Sequence, residues 1–588
     1  MIEGKPLTPS RFKTLQAALD HAAHAEGGGL TFVELDETET AYGFAEVQAR
    51  AARVAGALVA RGVRRQDRVA IVLPTGIGFM DAFFGTLLAG AVPVPLYPPV
   101  RLGRLDEYHA ATAGMLRAVD ARMVLTDGRV RKLLGQAAAR AGLPLGCVPV
   151  EELLAQNEPP SMDPGLPEDL GLIQFSSGST VSPKPVALSH ANILAQCAML
   201  KSLLRVEREG GSPVGVSWLP LYHDMGLIGC LLSAMCYPGK LVLIPPEHFL
   251  AKPSLWLRAL ARHRATISAA PNFAFALCVK RVRDEELEGC SLATWQQALN
   301  GAEPVSAEGM RKFAARFAKF GLAPEALLPV YGLAEASLAV TFCPPRAELR
   351  AARVDAGVLA QEGRVEPGER EVASVGVPVP GMRVDIRDAA DRSLPDGTVG
   401  RVVISGASVM VGYFRNPEAT ARAITGGFLD TGDQGFLSGG ELYLTGRAKD
   451  LVIIRGANHA PQEFEDCLEA VEGVRTGCAV ALGFTPPGGD GEALLVLAEK
   501  NPSTGERTEA EIRSAILERT GIKPHTVVLL APGTLPRTSS GKLRRQESLR
   551  RYLAQALTAP RRVNLLTIAA EVVKSTVAFA MDETADGR

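Results

Sequence analysis

The stretch Phe175-Ser176-Ser177-Gly178-Ser179-Thr180-Val181-Ser182-Pro183-Lys184 follows an apolar run, Leu172-Ile173-Gln174-Phe175, that reads as a strand. Hydroxyls, a glycine and a lysine after a strand offer backbone N–H groups, side-chain donors and one cation, a set that suits a polyphosphate. The Gly-x-x-x-x-Gly-Lys-Ser/Thr spacing of the P-loop is missing, so a P-loop NTPase is excluded. Taken alone, the segment also reads as a polar surface turn. Other chemistry-bearing clusters follow: Trp218-Leu219-Pro220-Leu221-Tyr222-His223-Asp224-Met225-Gly226-Leu227, Asn300-Gly301-Ala302-Glu303-Pro304 and Tyr331-Gly332-Leu333-Ala334-Glu335. Nearer the end stand Asp430-Thr431-Gly432-Asp433, Thr445-Gly446-Arg447-Ala448-Lys449-Asp450 and Pro536-Arg537-Thr538-Ser539-Ser540-Gly541-Lys542. Singly, Lys542 reads as a solvated charge, Asp433 as a turn aspartate and His223 as a core histidine.

The elements that must position these residues alternate in type. Glu46–Arg61 is alanine-rich with a 3.6-residue apolar period, and Arg68–Pro74 reads as a buried strand. A second helix is expected at about Gly78–Ala89, before a strand in Ala91–Leu96. The alternation continues through Val124, Ile173, Val216, Leu241–Ile244 and Ile267, which predicts an α/β protein with largely parallel sheets and ligands at the strands' carboxyl ends. After about Gly376, short strands with glycine turns predict a smaller β-rich subdomain, about 376–448. A further small unit is expected from Lys449, with a helix over Pro461–Val471 and strands at Cys478–Leu482 and Ala493–Ala498. The predicted organisation is an N-terminal domain, 1–448, of two α/β subdomains plus the β-rich one, then a small mobile α+β C-terminal domain, 449–588. Beyond about Pro560 the chain reads as a frayed or loosely docked tail.

Bulk properties narrow the class. The 588 residues exceed one hydrophobic core, and 47% apolar with 22% charged residues is ordinary globular composition. A net charge of −1 argues against a nucleic-acid partner. Nine scattered cysteines without metal spacing fit free thiols in a reducing cytoplasm. The longest apolar stretch, Gly226–Cys236, is too short to span a bilayer and predicts a buried helix; no integral membrane association is expected.

In this order, the clusters resemble the motifs of the ANL superfamily of adenylate-forming enzymes, across most of the chain. The resemblance implies activation of a carboxylate by ATP with magnesium. Ser176, Ser177, Gly178, Ser179, Thr180 and Lys184 would hold the β- and γ-phosphates. Gly301, Ala302, Glu303, Tyr331 and Gly332 would enclose the adenine. Glu335 would help hold magnesium, which prefers carboxylate and phosphate oxygens. Asp433, with Arg447 nearby, would accept from the ribose hydroxyls. Lys542 would stabilise charge between carboxylate and α-phosphate, His223 would gate or orient the carboxylate, and Lys449 matches the family's hinge. A carboxylate is already ionised at neutral pH, so the first half-reaction needs no general base.

Within the superfamily the chain is most similar to fatty acyl-AMP ligases. Leu221–Gly229, Ala270-Pro271-Asn272-Phe273-Ala274-Phe275 and Val452–His459 carry that likeness. Residues 344–371 sit where those ligases carry an insertion associated with loss of coenzyme A activity. The resemblance implies a medium- or long-chain fatty acid passed to the phosphopantetheine thiol of a separate acyl carrier protein of polyketide or peptide synthase type. A long-chain acyl-CoA ligase and a non-catalytic acyl-adenylate-binding homologue are the rival readings. Met225, Leu227, Ile228 and Leu232, with Asn272 and Phe273, are the expected acyl-pocket residues; apolar stripes at helical spacing also read as core. The chain departs from the family loop, which carries glycine where Val181 and Pro185 stand. Valine tolerates positive φ poorly and proline removes a donor, so weakened triphosphate binding is expected. Ala457 and Ala460 likewise replace larger residues.

Overall fold

The computed structural model describes all residues except 100–101, 157–161, 177–182, 205–212, 345–347, 455, 470, 487–491, 539–540, 561–564 and 587–588. A nine-stranded sheet forms the floor of the molecule, in the order Val377–Pro378, Ala339–Phe342, Leu327–Gly332, Gln297–Asn300, Ile267–Ala270, Val214–Ser217, Lys240–Leu243, Gly29–Val33 and Glu39–Gly43. Its six central strands are parallel, so their carboxyl ends line up along one edge. A second, four-stranded parallel sheet is made by Val92–Pro95, Arg68–Ile71, Ala121–Thr126 and Cys147–Pro149. The predicted helices appear as Phe44–Ala60 and Ile77–Leu88. They pack so closely that a Cβ on Gly85 would lie 2.6 Å from a methyl of Val54, which fixes glycine there.

The strand containing Ile173 departs from the parallel expectation. Leu170–Phe175 pairs antiparallel with Pro185–Ser189, which pairs antiparallel with Gly412–Tyr413. A short loop between neighbouring strands permits a hairpin, whereas a parallel return needs a crossover. The β-rich region is a six-stranded sheet of Met382–Arg387, Gly400–Gly406, Phe428–Ser438, Ile424–Thr425 and Glu441–Arg447, completed by Ile2–Glu3 from the far end of the chain. The segment in the insertion position folds as a hairpin, Ala351–Val354 with Arg370–Ala373, enclosing a helix, Ala356–Glu362.

The small C-terminal domain is a three-stranded sheet, Val474–Phe484, Ala493–Lys500 and Thr526–Leu530, with helices Thr508–Thr520 and Arg545–Leu553. The helix expected over Pro461–Val471 stops at Glu465 and continues as a 3-10 turn, Asp466–Leu468. One correction concerns an apolar segment. Gly226–Cys236 is not a regular helix: Met225–Leu232 winds as a π-helix before a short α-turn, Ser233–Cys236. Of the two states expected for the tail, frayed or loosely docked, the structure has the docked one: Leu565–Asp586 is a helix packed on Gly128–Ala141. Ser575 is buried there, accepts from the Gly135 N–H at 2.8 Å, and takes the space a Gly135 side chain would fill. Phe579 packs under the Arg131 guanidinium at 5.0 Å. Among the described residues, no helix is long and apolar enough to cross a membrane.

Candidate active site

A continuous cleft of about 4160 Å³ runs along the carboxyl ends of the large sheet and beneath the C-terminal domain. Strand termini deliver its polar groups, because side chains there leave the ladder and face open space. Behind the sheet, Trp218, Phe249, Trp256, Phe275, Trp295 and Phe313 form a chain of ring contacts that stiffens this wall.

Ser176 and Lys184 line the cleft. Ser176 N–H donates to the Lys184 carbonyl at 2.9 Å and Lys184 N–H to the Ser176 hydroxyl at 3.3 Å, closing the neck of the loop. Ser177, Gly178, Ser179, Thr180 and Val181 lie outside the described residues. The Lys184 ammonium sits 4.5 Å from the Tyr413 ring centroid, and the Tyr413 hydroxyl donates to Glu335 at 3.0 Å. Burial raises the Glu335 carboxyl above its ordinary value. Burial lowers the Lys184 ammonium; nearby Glu335 opposes that and the charges of Lys449 and Arg422 add to it. A cation-rich, desolvated corner of this kind attracts anions.

Tyr331 is the penultimate residue of the strand Leu327–Gly332, and its hydroxyl donates to Asp433 at 2.6 Å. Arg447, opposite Asp433 in the neighbouring strand, donates to the other carboxylate oxygen at 3.0 Å. Each oxygen keeps acceptor capacity, since a carboxylate offers about four lone-pair sites. The backbone is tight: a Cβ on Gly332 would lie 2.0 Å from the Leu338 carbonyl, and one on Gly301 2.8 Å from that of Val330. Ala302 has φ +72, an unusual left-handed conformation for a residue with a side chain. Glu303 turns toward the helix Asn272–Arg281 and accepts from the Phe273 N–H at 2.8 Å. Burial raises its carboxyl despite that bond and the nearby charges of Lys542, Arg537 and Arg545.

Farther along the cleft lining, His223 Nδ1 lies 2.6 Å from Asp224, which also accepts from the Met225 N–H at 2.8 Å. Burial acts to raise Asp224, but His223, with Lys542 beyond it, holds the carboxyl below its ordinary value. Lys542, from the C-terminal domain, reaches the same cleft; burial lowers its ammonium, and Asp224, Glu303 and Asp433 offset part of that. Asn272 accepts from the Asn300 amide at 3.1 Å and the Ser306 N–H at 3.3 Å, tying the helix start to the strand Gln297–Asn300. The Lys449 carbonyl accepts from Gln546 at 2.7 Å, tying the start of the C-terminal domain to its helix Arg545–Leu553.

Met225, Asn272 and Phe273 line the cleft. Leu227, Ile228 and Leu232 do not: each is fully buried in the core, on the opposite side of the π-helix. The cleft is lined instead by Gly229, Cys230, Ser233 and Ala234, with Gly215, Ile267 and Ala269 from the sheet. A π-helix brings positions 225, 229–230 and 233–234 onto one face, and that face is small-residued because it bounds empty space. The interleaved small residues were the available signal.

The segment 344–371 touches the C-terminal domain. Arg370 pairs with Glu463 at 2.5 Å, and His459 lies 3.1 Å from the same carboxylate. Burial would raise Glu463, yet the His459 hydrogen bond and the Arg370 charge hold it below its ordinary value.

The described geometry has counterparts among known proteins. Long-chain-fatty-acid–AMP ligase FadD26 of Mycobacterium marinum (strain ATCC BAA-535 / M) is 34% identical over 584 residues, covering 92% of this chain and 98% of that one. Medium-chain-fatty-acid–[acyl-carrier-protein] ligase JamA of Moorena producens (strain JHB) is 31% identical, covering 94% and 97%. A solved structure from work on fatty acyl-adenylate ligases of E. coli and L. pneumophila superposes with a TM-score of 0.87 at 31% identity, covering 94% of this chain and all of that one. The family described as AMP-binding enzyme matches residues 19–414, two-thirds of the sequence. This chain belongs to the AMP-binding, adenylate-forming enzyme family.

Proposed function

We propose that the enzyme activates a medium- or long-chain fatty acid as acyl-AMP and passes the acyl group to the phosphopantetheine thiol of a separate acyl carrier protein. One observation carries the reading: Lys542 of the small domain meets, in one cleft, the Asp224–His223 pair, Glu335 beside Lys184, and Asp433 held by Tyr331 and Arg447. In the first half-reaction a carboxylate oxygen attacks the α-phosphorus of ATP. The bond to the bridging oxygen breaks and pyrophosphate leaves with the electron pair. Lys542 offsets the negative charge shared by the two reacting groups, and Lys184 that of the departing phosphates. In the second, the thiol sulfur attacks the acyl carbonyl, AMP leaves with the bonding pair, and the thiol proton passes to solvent.

Glu335 fits magnesium, because a half-buried carboxylate raised by burial gains from a neutralising cation. The bound ion would supply charge neutralisation to the phosphates. Gly229, Ser233 and Ala234 leave room for an alkyl chain beyond His223. Lys449 is assigned as the hinge, and the domain beyond it as the moving part. The carrier protein and fatty acid find support in the named substrates of the two relatives. All nine cysteines are unpaired, which suits the cytoplasmic location we assign.

Mass spectrometry of products over a fatty-acid panel, with and without coenzyme A, tests this. Acyl-AMP with little acyl-CoA is expected. Abundant acyl-CoA would make it a coenzyme A ligase, and no fatty-acid-dependent pyrophosphate would make it a binding homologue.

A further inference from the structure

Arg537 stands at the neck of the loop that carries Lys542. Arg537 and Leu543 form an antiparallel bridge that closes the loop. Inside it, Thr538 N–H donates to the Lys542 carbonyl at 2.7 Å, Lys542 N–H to the Thr538 hydroxyl at 3.0 Å, and Gly541 N–H to the Thr538 carbonyl at 3.0 Å. Gly541 has φ +90, so the residue beside Lys542 depends on a glycine.

The Arg537 side chain spans this loop and leaves it. One terminal nitrogen donates to the Gly541 carbonyl at 2.6 Å; the other donates to the Gly477 carbonyl at 2.6 Å and lies 2.9 Å from the Cys478 sulfur. Gly477 sits where strand Val474–Phe484 breaks register, and its Cα faces Phe273 at the start of the substrate-site helix. The guanidinium therefore ties the residue before Lys542 to the strand segment resting against Phe273. Among the described residues Arg537 is in no carboxylate ion pair; its guanidinium forks between two carbonyls, with the Cys478 sulfur beside one nitrogen and the Glu303 carboxyl near enough to feel its charge. A fork that holds two acceptors at once fixes geometry, which a point charge cannot do.

We propose that Arg537 is a positioning residue that holds Lys542 in the adenylate-forming geometry by bridging the Gly541 and Gly477 carbonyls. The proposal rests on the reading of Lys542 as the charge-stabilising residue of the first half-reaction. It separates the half-reactions: Lys542 serves only adenylation, so loosening it leaves acyl transfer untouched.

The test uses Arg537→Lys, which keeps the charge, and Arg537→Met, which keeps the stem, in the full chain. Both are expected to lower fatty-acid-dependent pyrophosphate release about 10- to 100-fold, in kcat rather than in KM for ATP, the loss typical of a misplaced catalytic group. Transfer from preformed dodecanoyl-AMP to the carrier protein that the unaltered enzyme loads is expected to stay unchanged. Full adenylation in Arg537→Lys would mean that charge alone matters and would overturn the proposal. So would equal loss of both half-reactions, which marks a fold defect, or loss of neither. Lys542→Ala is run alongside: adenylation surviving there overturns the reading of Lys542 itself, whatever Arg537 does.

Discussion

On the wall of the cleft formed by the large domain, Asp224, Glu303 and Glu335 stand just past strands whose interiors are buried. On the facing wall, Lys542, Arg537 and Arg545 stand on a loop and a helix of a three-stranded domain. Burial raises Glu303 and Glu335 and lowers Lys542, so each wall holds charges that its own surroundings disfavour. Each wall relieves the other. The acceptors stand on the large domain's sheet and the cations on the small domain's loop and helix. With the proposed motion of the small domain, such a site stabilises negative charge strongly in one pose and releases its product in another.

The largest test removes the delivered charge. Lys542→Ala is expected to lower pyrophosphate release about 10²- to 10³-fold, the usual cost of losing one preorganised donor, while transfer from supplied acyl-AMP survives. Its titration sharpens the point. Lys542 acts protonated, and burial lowers its pKa, so adenylation should fall on the alkaline side at a lower pH than an exposed lysine would give. Arginine stays protonated, so Lys542→Arg, whatever its rate, should lose that alkaline limb. A pH–rate profile of pyrophosphate release checks both.

On the fixed wall, Asp433→Ala removes the acceptor of two donors and leaves the Tyr331 hydroxyl and Arg447 without it. The KM for ATP is expected to rise about tenfold or more, as for a lost charge-assisted hydrogen bond, with transfer less affected. Glu303→Gln should do less. The amide oxygen still accepts from Phe273, and the disfavoured buried charge is gone, so the Tm should hold or rise slightly. A large loss of adenylation in that variant would mean that the Glu303 charge, and not only its shape, meets the nucleotide.

These two walls also differ in how legible they were. Tyr331 and Glu335 are readable because their motif follows a short apolar run that reads as a buried strand, whereas Asp433 lies inside the strand Phe428–Ser438 and is marked only by its Thr-Gly-Asp motif. The apolar part of the cleft is less legible, since Leu227, Ile228 and Leu232 signal burial whether or not a cavity lies beside them. A π-turn has no compositional mark, and its extra residue per turn rotates which positions face the cleft. Ile2–Glu3 joining a strand near residue 383 is a non-local pairing that two residues cannot announce. The docked tail was hidden because its partner, Gly135, matters through what it lacks. Gly135→Ala places a carbon about 2.2 Å from the Ser575 carbonyl and should expel the helix. Faster limited proteolysis after Pro560 with unchanged pyrophosphate release is the expected result, since this contact lies on neither wall.

The smallest expected effect concerns the phosphate loop. Pro185 is the first residue of its strand, and its carbonyl accepts from the Phe414 N–H at 2.8 Å, while the Lys184 carbonyl faces Ser176. In an antiparallel ladder a residue's N–H points to the same side as its carbonyl. The donor that proline lacks would therefore have faced the Phe414 carbonyl, away from the loop neck. Proline at a strand's first position is tolerated for this reason. Restoring glycine at Pro185 should leave the KM for ATP unchanged, and any gain from the two restorations should come from Val181→Gly alone. A lower KM in Pro185→Gly, measured in the same pyrophosphate assay, would place the fixed wall's phosphate donors one residue farther along than the ladder does.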